Sequence, residues 1–134
     1  MIEQISLFAE NKKGAMKNIT DILTNADINI ESLVTNDSAE FGIIRMLVSD
    51  SQKAADALTG AGYLVHIDKV ICVEMKDEPG GLNVLLNDIL TGNINLDYIY
   101  ISYDRASSVP LAIIKSQDEA EVEYCIKGYG HKVR

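Results

Sequence analysis

The chain has 134 residues, 47% of them apolar, and a formal net charge of −8. That length admits one ordinary domain or two minimal ones, and no stretch approaches the roughly 18 consecutive apolar residues of a membrane-spanning helix. The charge divides evenly, with nine acids against five bases in residues 1–66 and eleven against seven in 67–134. Since the largest basic cluster is Lys12-Lys13, nucleic acid and anionic membranes are disfavoured partners.

Met1 runs into Ile2-Glu3-Gln4-Ile5 with no basic segment followed by an apolar one, so no secretory signal is read and a cytoplasmic address is expected. Residues 4–9 alternate Ile5, Leu7 and Ala9 against Gln4, Ser6 and Phe8, the period of a half-buried strand. The polar loop Glu10-Asn11-Lys12-Lys13 ends at Gly14. Met16, Ile19, Leu23 and Ala26 follow at spacings of three and four and predict a helix with one apolar stripe. Residues 28–35 and 42–48 read as two strands joined by a polar hairpin connection at 36–40. Asp50 or Ser51 caps a second helix carrying Ala54, Ala55, Leu58 and Ala61, Gly60 and Gly62 end it, and 63–67 make a last strand.

The same order then returns. Strands are expected at 70–75, 94–102, 110–115 and 129–133, with helices carrying Leu82, Leu85, Leu86 and Ile89, and Val122, Cys125 and Ile126. A shift of 66 lays the chain over itself without a gap. Gly14 meets Gly80, Ile28-Asn29 meets Ile94-Asn95, Ala54 meets Ala120, Gly62-Tyr63 meets Gly128-Tyr129, and Leu47 meets Ile113. Only seven positions are identical, but they fall where a backbone needs punctuation. The expected fold is α+β: two tandem ferredoxin-like βαββαβ modules, 1–68 and 69–134, side by side in one continuous antiparallel sheet with helices on one face. Asp68-Lys69 is the only polar break between them. The two cysteines, Cys72 and Cys125, lie in apolar runs with no partner at metal-ligand spacing and read as buried free thiols.

The first strand-to-helix loop of each half is the candidate site. It is written Asn11-Lys12-Lys13-Gly14-Ala15-Met16 and Asp77-Glu78-Pro79-Gly80-Gly81-Leu82. The first N–H groups of a helix lack internal partners and carry the positive end of its dipole, so a carboxylate placed there accepts several hydrogen bonds. Glycine allows close approach, Asn11 or Asp77 suits an ammonium group, and Asn29 and Asn95 offer amide donors and acceptors. Together these describe an amino-acid zwitterion. The same Pro79-Gly80 pair also suits a plain tight turn.

In this order the motifs resemble ACT domains, the small-molecule regulatory modules of amino-acid metabolism. Asp77 to Leu82 with Ile94-Asn95-Leu96 is the closer match, while the first copy has Asn11 and Lys13 where the family often has Asp and Pro. The resemblance implies modules paired through their second strands, with a free amino acid held between one module's glycine loop and the other's strand. It also implies a regulatory role without catalysis. The alternative it leaves open is a regulatory subunit that binds and controls an amino-acid biosynthetic enzyme.

Tyr98, Tyr100 and Ser102 share one side of their strand and suit either a homodimer contact or packing within the pair. No cofactor, metal site or catalytic residue is expected. His66 and His131 read as surface or strand-end residues, and the acids from Asp118 to Glu123 favour a helix start. An RNA-binding version of the fold is opposed by charge and by the lack of stacking aromatics among basic residues, and a metal-carrier version would need a Cys pair in the first loop.

Overall fold

The computed structural model describes residues 1–36 and 41–134; from residue 37 on, the hairpin connection expected at 36–40 lies outside them. The chain separates into two compact units, Glu3–Asp68 and Lys69–Arg134 with Met1–Ile2. The elements are β1 (Ile2–Glu10), α1 (Ala15–Asn25), β2 (Ile30–Asn36), β3 (Phe41–Val48), α2 (Ser51–Gly60), β4 (Leu64–Glu74), α3 (Gly81–Thr91), β5 (Tyr98–Tyr103), β6 (Pro110–Lys115) and α4 (Glu119–Gly128). Asp68-Lys69 does not break β4, although two separate strands were expected there.

In the first unit the strand order is β2-β3-β1-β4, and in the second β4-β6-β5. β1 pairs antiparallel with β3, Leu7 opposite Ile44, and β2 with β3, Leu33 opposite Met46. β6 pairs antiparallel with β4, Ala112 opposite Val73, and with β5, Ile114 opposite Ile99. This is the βαββαβ order read from the sequence, written twice.

Alternation decides which residues enter each core. Ile5, Leu7 and Ala9 of β1 with Ile44, Met46 and Val48 of β3 meet Ile19 and Leu23 of α1 and Ala54 and Leu58 of α2. In the second unit Ile71 and Val73 of β4 with Ala112 and Ile114 of β6 meet Leu85, Ile89, Val122 and Ile126. Within each unit both helices therefore cover the same face of the strands. The alternate positions are not all solvated, since Gln4, Ser6, Val70, Cys72 and Ile113 are buried too. Cys72 is a free thiol raised above the ordinary value by burial, and Cys125 is free and half-buried. Tyr98 and Tyr100 are half-buried on the outer strand β5 beside the buried Ser102.

The repeat is not gapless. Thr35 and Ile44 face each other nine positions apart (44 − 35), whereas their counterparts Ile101 and Ala112 are eleven apart (112 − 101), so the β5–β6 hairpin holds two additional residues. The offset is 66 as far as β5 and 68 from β6 onward. Asp50 and Asp118, which cap α2 and α4 by accepting the N–H of Lys53 and Glu121, are 68 apart, as are the left-handed Gly62 and Gly130. Leu47 therefore corresponds to Lys115, Ala54 to Val122, and Gly62-Tyr63 to Gly130-His131, in place of the pairings read from the gapless shift. This also shortens the strand expected at 129–133. Tyr129 is the C-cap of α4, Gly130 is left-handed, and only Val133 bridges to Val73.

The segment after Gly130 is tied down by ion pairs within its own unit. The Arg134 guanidinium reaches Asp104 Oδ2 at 2.7 Å and Glu74 Oε1 at 3.0 Å, and Lys132 Nζ lies 3.1 Å from the other Glu74 oxygen. Hydrogen bonds from Arg134, the Ser107 hydroxyl and the Ala106 N–H hold the Asp104 carboxyl down to about 2.

Two expectations follow. A Cβ on Gly81 would lie 2.3 Å from the Lys76 carbonyl oxygen, so Gly81→Ala requires the backbone at the end of β4 to move, at a cost of about 1–3 kcal/mol. Thermal unfolding should show the midpoint falling by several degrees, whereas Ala15→Gly at the matching position of α1 should cost about 1 kcal/mol or less. The depressed carboxyl of Asp104 contributes stability above the unfolded carboxylate value and loses it as pH falls through about 2. Asp104→Asn should lower the midpoint at neutral pH, and its difference from the parent protein should shrink between about pH 4 and pH 2.

Candidate functional site

In both units the first helix starts at a left-handed glycine without a side-chain cap, Gly14 at φ 85° and Gly80 at φ 87°. A Cβ is disfavoured in that conformation, so glycine is what lets the strand end and the helix begin within a few residues. The loops close on themselves, Ala15 N–H donating to Lys12 O at 3.2 Å and Gly81 N–H to Glu78 O at 3.1 Å. The first intrahelical bonds follow, from Asn18 to Gly14 and from Val84 to Gly80. One early amide per helix is thus satisfied by the protein itself. The next two, Met16 and Lys17 in α1 and Leu82 and Asn83 in α3, have no partner among the described residues.

In the first unit a cavity of about 340 Å³ opens beside this loop. Its polar lining includes Asn11, Thr35 and Asn36, and its apolar lining Ala9, Met16 and Ile44. Glu10 and Lys12 on the rim pair with each other at 3.3 Å. Asn11, Ala15 and Met16 are thereby brought together, and Gly14 positions them from the loop without lining the space. Thr35 and Asn36, at the far end of β2, join them because the hairpin end of β2 and β3 lies alongside the end of β1.

Asn29 and Asn95 are placed elsewhere. Asn29 exchanges hydrogen bonds with Ser49, its N–H donating to the hydroxyl and its carbonyl accepting the Ser49 N–H, both at 3.0 Å. The Asn95 carbonyl accepts the Ser116 hydroxyl at 3.0 Å. Each closes the opposite end of its unit's strands from the glycine loop. Asn29 precedes Asn36 by seven residues, a span of about 20 Å along an extended strand. They act as hairpin braces, and the amide contacts expected of them at the loop are not made within their own units.

The second unit carries its cavity on the other flank of the loop. About 400 Å³ is enclosed by Met75, Val84 and Leu85, the glycines Gly81 and Gly130, and the charged Glu74, Lys76, Glu78, His131 and Lys132. Of the residues singled out from the sequence, Gly81 lines it; Asp77, Gly80 and Leu82 belong to the same turn but do not. His131 Nε2 lies 2.5 Å from Asp88 Oδ2, which fixes the ring against α3. His131, Lys132 and Val84 had no motif to mark them. The signal that finds His131 is the offset of 68, which places it at the position of Tyr63. Among the described residues there is no group of three or more metal-ligating side chains, and no helix is long and apolar enough to cross a membrane.

Comparison with known proteins gives a consistent fold. The chain is similar to protein BT0572 from Bacteroides thetaiotaomicron, with 27% identity, a TM-score of 0.90, and coverage of 98% of this chain and 90% of that one. It is also similar to the regulatory subunit of aspartate kinase from Thermus thermophilus, at 14% identity, TM-score 0.68 and coverage of 94% and 91%. The corresponding subunit from Thermus flavus matches at 13% identity, TM-score 0.62 and coverage of 94% and 90%. No curated protein matches the chain in sequence. The family model described as an ACT domain pair matches residues 1–123, and the chain belongs to that family.

Proposed function

We propose that this chain is a non-enzymatic regulatory protein that senses a free amino acid. The observation that carries the reading is the coincidence, in the first unit, of an unpartnered helix-start amide at Met16, followed by a second at Lys17, with a cavity of about 340 Å³ that Met16 lines and whose lining is part polar and part apolar. The amides and the positive end of the α1 dipole suit a carboxylate, Asn11, Thr35 and Asn36 supply polar contacts to an ammonium, and Ala9, Met16 and Ile44 receive the remainder of the molecule. In the second unit the same reading gives Leu82 and Asn83 the carboxylate and Asp77 the ammonium. Membership of the ACT domain pair family supports a regulatory role. Binding acts on function only through a difference in affinity between two states of the protein.

Thermal-shift measurements across the common amino acids at millimolar concentration test this. Ligand at one hundred times its dissociation constant adds about 2.7 kcal/mol, so at least one amino acid should raise the midpoint by several degrees. No shift with any of them would reject the reading.

Ala15→Glu localises the effect. A carboxylate at the first position of α1 favours the helix dipole and competes for the same amides. The unliganded midpoint should stay within a few degrees of the parent protein. The dissociation constant for the first-unit site should rise by about tenfold or more.

A further inference from the structure

The two units act as each other's control at the flank of the glycine loop that faces the end of the second helix. Both have a cavity there, about 480 Å³ in the first and 400 Å³ in the second. In the first unit the charged pair that lines it is satisfied within itself, and its Tyr63 hydroxyl is taken by Asn18, which lies outside the lining. Glu10 pairs with Lys12 at 3.3 Å, and Asn18 Nδ2 donates to the Tyr63 hydroxyl at 2.6 Å.

At the matching positions of the second unit every one of these has changed. Lys76 stands for Glu10 and Glu78 for Lys12, with the signs exchanged, and neither has an ion-pair partner among the described residues. Val84 stands for Asn18 and His131 for Tyr63, so the bonded polar pair is gone, and the imidazole is turned to Asp88. Val84 is left 55% exposed over the cavity. Gly81 stands for Ala15 and removes a methyl from the wall. The remaining acid, Glu74, is already held by Arg134 and Lys132. What is left unanswered is one cation, one anion and an apolar floor of Met75, Val84 and Leu85.

We propose that this cavity is a ligand site in its own right, taking an α-amino acid with an aliphatic side chain: its carboxylate at Lys76, its ammonium at Glu78, and its side chain on Met75, Val84 and Leu85. The proposal rests on the amino-acid reading above and adds to it a second location, apart from the α3 amides and Asp77, and a side-chain class. The volume, about 400 Å³, falls at the small end of the roughly 300–1,000 Å³ typical of small-molecule sites, enough for one such molecule. Two opposite charges spaced along the rim reject analogues lacking either end, because the abandoned charge loses its partner while its water is displaced.

Calorimetric titration of the whole chain tests this with L-leucine, L-valine, L-methionine, L-serine and L-aspartate, together with 4-methyl-2-oxopentanoate and 3-methylbutylamine. The three apolar amino acids should bind. The oxo acid and the amine, each lacking one charge, should bind at least about tenfold more weakly. Lys76→Gln and Glu78→Gln should each weaken L-leucine by about tenfold or more while leaving the unfolding midpoint near that of the parent protein. Apolar amino acids that bind both variants unchanged would overturn this site and leave amino-acid sensing intact. Binding of serine or aspartate in preference to leucine would overturn the side-chain class, and no binding of any amino acid would remove both readings.

Discussion

The left-handed turn at Gly14, repeated at Gly80, is the constraint on which the rest of each unit depends. The first strand must deliver the chain to a helix that runs back across the strands it has just joined, and it has only four residues in which to do so in the first unit, 11–14, and six in the second, 75–80. A residue at φ near 85° reverses the path in one step and starts the helix with no side chain over its end. Architecture and open amides thus have a single cause. The second helix of each unit is started differently, by Asp50 or Asp118 accepting an N–H of its own first turn, and there the helix end is closed by the protein. Each unit therefore has one open helix start and one sealed start.

Much of this was legible in the residues. Period-two runs such as Ile5-Leu7-Ala9 and period-three-to-four runs such as Ile19-Leu23 are imposed by burial on one face, and burial on one face is what the structure has. The glycines at 14 and 80 were legible because no other residue type takes that backbone conformation cheaply. The additional two residues in the β5–β6 hairpin were not. Loop positions carry no periodic burial, and matches such as Ala54 with Ala120 drew the gapless shift past the point where the true offset changes.

The site was legible in part, for a related reason. Asn11, Ala15 and Met16 are consecutive to the turn, so local chain geometry brings them together. Asn29 and Asn95 were attached by their place in a motif; within their own units they lie at the strand ends away from the glycine loop, Asn29 about 20 Å along the chain from Asn36, and their main chains bond Ser49 and Ser116. Conversely, Val84 and His131 come together with Lys76 through the packing of α3 against the segment after α4, which no short spacing encodes. The duplicated chain supplies the missing comparison. Where the units share a fold, a difference such as Asn18 against Val84 identifies a local change that the shared fold did not demand.

The hairpin shows where the fold absorbs a change of length. Side chains along β6 alternate between two faces, and which face each takes is set by the pairing of that strand with β4 and β5. The second unit gained two residues ahead of β6, yet Ala112 and Ile114 still meet the helices as Ile44 and Met46 do. Burial of one face holds the strand in place whatever the span of the connection before it, so the two copies drift in length at the turn and not along the ladder.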